Sequence, residues 1–179
     1  GGPFMQNIFD SHAHYDDPRF DEDRDALLGS MAEHGVRAIM NVGNTTHANL
    51  AGIELAKQYP FIYCSIGIHP DQAAEIAAQN SREYLDVIAS QLSYEKAMAL
   101  GEIGLDYYYD LSPRETQMTV CEAQMELAWE GWRRQDLIRF RQFTRPYSFR
   151  PQLPGEENGY TTVFPIPEKV IVMNGVLKQ

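Results

Sequence analysis

The chain has 179 residues, of which 44% are hydrophobic and 22% charged, enough for one domain with a real core and unlike disordered, collagenous or membrane compositions. A complete eight-unit α/β barrel needs about 250 residues, so a full barrel is excluded. The net charge of −10 disfavours nonspecific attraction to nucleic acid or anionic lipid but leaves a nuclease open, because acidic groups that bind divalent cations make a site locally positive.

Strands are predicted at Asn7 to Ser11, Val36 to Val42, Phe61 to Ile68 and Ala97 to Glu102, where β-branched and aliphatic residues cluster. Amphipathic stretches at Asp21 to His34, His47 to Tyr59, Gln72 to Leu92 and Pro113 to Glu130 predict the helices between and after them. Ser112-Pro113-Arg114-Glu115 offers the last helix a capping Ser, a Pro at its first position and a Glu able to return a hydrogen bond. Met118, Cys121, Met125 and Ala128 are expected to face the sheet, and Met31, Met118 and Met125 to fill the core. The fold class is α/β: about four βα units over residues 7–130, a partial (β/α)8 TIM barrel with an irregular C-terminal tail. The outer edges of the first and fourth strands would then be open to self-association.

Near residue 130 the composition changes. Residues 1–130 carry 21 acidic against seven basic side chains, net −14, and residues 131–179 carry four against eight, net +4. Six of those eight are arginines between Arg133 and Arg150, five of the ten prolines fall late, and no His follows His69. Tyr160 to Phe164 and Lys169 to Val172 could be strands, but no helix-length segment separates them. A divergent Arg/Pro-rich tail of this kind is what a frameshift or gene-model artefact produces. The competing reading is a noncatalytic nucleic-acid-binding module that uses the Arg-rich tail, with Trp132, Phe140, Phe143 and Tyr147 interleaved.

No run approaches the roughly 18 apolar residues of a membrane span, and Gly1-Gly2-Pro3-Phe4-Met5-Gln6 lacks the basic and apolar regions of a secretory signal. A cytoplasmic protein without a membrane partner is expected. Cys64 and Cys121 read as reduced, buried thiols rather than a disulfide.

Three motifs close predicted strands. In Asp10-Ser11-His12-Ala13-His14 the imidazoles stand two residues apart, so both share one face of a strand and can reach one metal ion. Glu102, within Gly101-Glu102-Ile103-Gly104-Leu105-Asp106-Tyr107-Tyr108, falls at a strand's C-terminal tip, where barrel enzymes keep catalytic groups, and its carboxylate could bridge two metals. His69, in Gly67-Ile68-His69-Pro70, could stand behind a ligand or contact a substrate phosphate. The plain alternatives are solvated histidines in a turn, a strand-ending Glu that caps the next turn, and a polar residue that starts a loop. Tyr107, Tyr108 and Tyr109 could stack a nucleobase or pack over the barrel mouth. His34 and His47 suggest no role.

Taken together, these motifs resemble the TatD family of metal-dependent deoxyribonucleases, and Ser112 to Gln117 with Glu122-Ala123-Gln124 look like that family's fourth helix. The resemblance covers residues 7–130. It implies a metal-dependent hydrolase that cleaves DNA phosphodiesters with two divalent metal ions (Zn, Mg or Mn), His12 and His14 on one and Glu102 bridging to the second. The family completes its site with two further histidines and an aspartate from later strands. None is found here, since Asp136, the sole Asp after the boundary, lacks the family's surrounding pattern. Hence one metal at most is expected to be retained, with no complete catalytic set and little or no nuclease activity in this truncated chain. Hydrolysis of a small ester or amide is a third reading, since fold and metal alone do not choose a substrate.

Overall fold

The computed structural model describes residues 7–78, 83–133, 160–165 and 170–176. In chain order these form β1 (Ile8–Ala13), α1 (Arg24–Ser30), β2 (Val36–Val42), α2 (Thr46–Gln58), β3 (Ile62–Ile66), α3 (Ala73–Ala78), α4 (Glu83–Leu92), β4 (Ala97–Asp106), α5 (Arg114–Arg133), β5 (Tyr160–Pro165) and β6 (Val170–Val176). Strands β1 to β4 lie side by side and parallel, the half barrel expected from four βα units.

One large core fills the space between this sheet and its helices. Ile39, Ile62, Cys64, Ile66, Leu100 and Ile103 supply the sheet side, packed with Leu28, Ile53, Ala56, Ile76, Ile88 and Val120 from the helices. Each fully buried Ile or Leu contributes about 1.5–3 kcal/mol by leaving water. A much smaller cluster, Met40, Val42 and Ala99, is formed apart from it by β2 and β4. Both cysteines are buried and neither forms a disulfide, as expected.

Several local expectations need correction. Helix α1 stops at Ser30, after which Glu33, His34 and Gly35 bond three residues back, the tighter 3-10 pattern, and Gly35 turns the chain into β2 at φ 82°. The helix expected from Gln72 to Leu92 is preceded by a 3-10 turn at Pro70–Gln72 and is described over α3 and α4, residues 79–82 lying outside the described ones. Strand β4 runs four residues past Glu102, because Ile103 to Asp106 pair with Met173 to Val176 of β6.

Helix α5 buries two of the four residues expected to face the sheet, Cys121 and Ala128, but neither of the two methionines. Gln117, Val120, Cys121, Gln124 and Ala128 are buried, whereas Met118 is 45% and Met125 42% exposed. Met31 alone of the three methionines enters the core. The Ser112 hydroxyl is engaged away from its own helix, donating to the Asp71 carbonyl at 2.8 Å and accepting from the Ala74 N–H at 3.0 Å.

The tail is not irregular throughout. Strand β6 pairs in parallel with β4, and β5 pairs antiparallel with β6. The fourth strand's outer edge is therefore covered, while β1 ends the sheet with Phe9 55% exposed. The Arg-rich stretch beyond Arg133, on which the nucleic-acid-binding reading depends, lies outside the described residues.

Candidate metal centre

At the C-terminal tips of the strands, three glycines bring backbones close together. The Glu102 N–H donates to the Gly43 carbonyl at 2.6 Å, reaching from β4 past β3 to the end of β2. Gly67 permits this approach, because a Cβ there would stand 2.6 Å from the Gly101 carbonyl carbon. The His69 N–H donates to the Asn44 carbonyl at 2.9 Å, tying the ends of β2 and β3.

Against this rim the side chains of β1 and β4 meet. His12 and His14 hold their Nε2 atoms 3.2 Å apart. Glu102 Oε2 lies 3.7 Å from the first and 4.0 Å from the second. In a flat sheet, three spacings of about 4.8 Å would put β1 roughly 14 Å from β4, so these contacts require a strongly curled sheet. Four ligands held tetrahedrally at about 2.1 Å from zinc stand about 3.4 Å from one another. Two imidazoles and a carboxylate oxygen with the observed separations fit that geometry, and their ligand atoms all fall within 4.8 Å of one another.

His69 approaches from the other side, its Nε2 3.9 Å from Glu102 Oε1. Its Nδ1 accepts from the Asp71 N–H at 3.2 Å and lies 3.4 Å from Asp71 Oδ2. All four residues picked from the sequence thus converge, Glu102 buried between three imidazoles that are each partly exposed.

Polar residues that periodicity passes over hold these groups in place. Asn41, buried at the end of β2, accepts from the Tyr15 N–H at 2.7 Å and donates to Asp16 at 2.8 Å, fixing the chain just after His14. Arg24 donates to the carbonyls of Tyr15, Asp16 and Asp17. Gln124 pairs with the backbone of Ile68 and Gln117 with that of Asp106. Burial raises the Asp71 carboxyl above the usual range, Asp106 and Glu102 add to this, and His69 opposes it. The sequence signal for Asn41 was its place at a strand tip.

Residues 9–131 match the family model described as TatD related DNase. The chain, a parallel half barrel with paired histidines at the end of its first strand and a carboxylate on its fourth, therefore belongs to the TatD family. The chain is 34% identical over 123 residues to the uncharacterized metal-dependent hydrolase YabD of Bacillus subtilis, covering 69% of this chain and 47% of that protein. It is 25% identical over 123 residues, again 69% of this chain, to the 3'-5' ssDNA/RNA exonuclease TatD of Salmonella typhimurium, 46% of which is covered. The crystal structure of YjjV from Escherichia coli aligns at TM-score 0.58 and 30% identity, over 68% of this chain and 46% of that one. A TatD family hydrolase from Entamoeba histolytica aligns at TM-score 0.63 and 24% identity, over 72% and 48%, and supports the fold alone. The chain spans about half the length of the curated relatives it matches. Among the described residues no helix is long and apolar enough to cross a membrane.

Proposed function

We propose that His12, His14 and Glu102 hold one divalent metal ion, and that the chain is a TatD-type hydrolase fragment whose phosphodiesterase activity is impaired. The carrying observation is the meeting of both Nε2 atoms with Glu102 Oε2 across the curled sheet. Two imidazoles with one carboxylate favour zinc or manganese over magnesium, which prefers an all-oxygen shell. When bound, such an ion supplies Lewis acidity toward a phosphoryl oxygen and acidifies water. Glu102 orients the site through its buried carboxylate, and His69, its Nε2 3.9 Å from Glu102 Oε1, is placed to reach an anionic oxygen of the substrate.

Residues 131–179 hold no histidine and a single aspartate, so the set that would hold a second ion and handle the proton of the attacking water is not supplied by this sequence. We read residues 7–130 as the half barrel and 131–179 as a divergent segment that arose from a frameshift or a gene-model artefact. The substrate class is single-stranded nucleic acid, supported by the activity named for the Salmonella relative. A cytoplasmic setting and self-association through the β1 edge complete the reading.

Titration of the purified 179-residue chain with Zn²⁺ and Mn²⁺ tests the assignment. One equivalent is expected to bind, with His12→Ala and Glu102→Gln each weakening it by about a hundredfold or more. Unchanged affinity in either variant would refute the site. Metal-dependent cleavage of single-stranded DNA, abolished by His12→Ala, would refute the impairment.

A further inference from the structure

Past Glu102, β4 ends in a loop that displays apolar surface at the same rim. Tyr108 is 53% exposed, Tyr109 67% and Leu111 67%. Large side chains so close together in sequence and so exposed mark a contact surface rather than scattered surface residues. Their backbone is firmly held. Asp106 Oδ1 accepts from the Tyr108 and Tyr109 N–H groups at 2.8 and 3.0 Å, and Gln117 in turn accepts from the Asp106 N–H and donates to its carbonyl. The two rings stand edge to face, centroids 4.8 Å apart. At about 3.3 Å per residue, the end of β4 is roughly 13 Å along the strand from Glu102, a few nucleotides of an extended single strand.

Among the described residues, the loop offers little to bind phosphate. Its nearby cation, Arg114, is forked onto Asp110 at 3.2 Å through two nitrogens and lies over the Tyr107 ring at 4.5 Å. Aromatic faces beside which the described residues set no spare positive charge suit bases, not the backbone of a nucleic acid. We propose that Tyr108 and Tyr109 form a base-stacking subsite for single-stranded nucleic acid, a few nucleotides from the metal centre. This rests on the substrate reading given above and deepens it.

The test is equilibrium binding, in EDTA, of a ten-nucleotide single-stranded DNA carrying 2-aminopurine, beside the same strand with abasic positions. Tyr108→Ala and Tyr109→Ala are each expected to weaken binding of the normal strand about five- to a hundredfold, while Tyr→Phe variants retain it. The abasic strand should bind wild type as weakly as the normal strand binds the Ala variants, and the step lost should depend little on salt. Zn²⁺ affinity should be the same in all these variants. Failure of the metal reading would appear as absent Zn²⁺ binding with stacking intact. Equal binding of normal and abasic strands, Ala variants indistinguishable from wild type, or Ala variants that alter only self-association in sedimentation would each overturn the subsite.

Discussion

The carboxamide of Gln124 and the backbone of Ile68 form a closed pair: the Ile68 N–H donates to Gln124 Oε1 at 2.8 Å and Gln124 Nε2 donates to the Ile68 carbonyl at 3.2 Å. The side chain stands in for a neighbouring strand just beyond the end of β3, one residue before His69. Gln117 does the same for Asp106 at the end of β4, also with both bonds made. Helix α5 therefore carries the hydrogen bonding of two strand ends as well as their packing.

Removing one of these amides leaves two buried backbone groups unsatisfied, each worth about 1–3 kcal/mol. Gln124→Leu is expected to destabilise the chain by about 2–4 kcal/mol in urea unfolding. Gln124→Glu should cost less at pH 4, where a protonated carboxyl can both donate and accept, than at pH 7.

Gly67→Ala is expected to cost about 3 kcal/mol or more, because the added Cβ would meet the Gly101 backbone and neither chain can yield. Gly29→Ala provides the contrast. Beyond its chain neighbours and the helix's own backbone, no atom lies within 4 Å of a Cβ at that position in α1, so the substitution should stabilise by about 1 kcal/mol.

Asp71 sets a pH dependence. Burial raises its carboxyl, so the folded chain holds this proton more tightly than the unfolded chain does. The associated stability is present below the ordinary carboxylate range and is lost as pH rises through the raised value. Its Oδ1 is buried and lacks a hydrogen-bond partner among the described residues. Asp71→Asn should abolish that part of the decline with rising pH, measured as the difference between wild-type and variant urea midpoints from pH 3.5 upward. A parallel offset at every pH would contradict it.

Met118→Gln and Met125→Gln are expected to shift stability by no more than about 0.5 kcal/mol each, as exposed positions do. Val120→Ala, three positions after Gln117 on the buried face, should cost about 1–3 kcal/mol.

The first four strands and the convergence of His12, His14, His69 and Glu102 were legible because chemistry-bearing residues end apolar runs, and parallel strands deliver their tips to one side. The buried face of α5 was legible only in part: Cys121 and Ala128 are buried, while Met118 and Met125 are exposed and Gln117, Val120 and Gln124 take the remaining buried positions. Hydrophobic periodicity counts Gln117 and Gln124 as surface, yet a carboxamide that pairs with backbone can be buried at little net cost. Ser112 looked like a cap because a Ser-Pro sequence is read locally, whereas its hydroxyl serves Asp71 and Ala74, some forty residues earlier in the chain. The far end of β4 was hidden because its partner β6 lies in a tail whose composition gave no barrel unit.

His12 and Glu102 come from strands with two others between them, so any cation they share would act as a clasp across the open arc. Its binding energy would be felt as resistance to the sheet springing flat. Chelation should consequently lower the melting temperature of the whole half barrel, by an amount set by the logarithm of free metal over its dissociation constant.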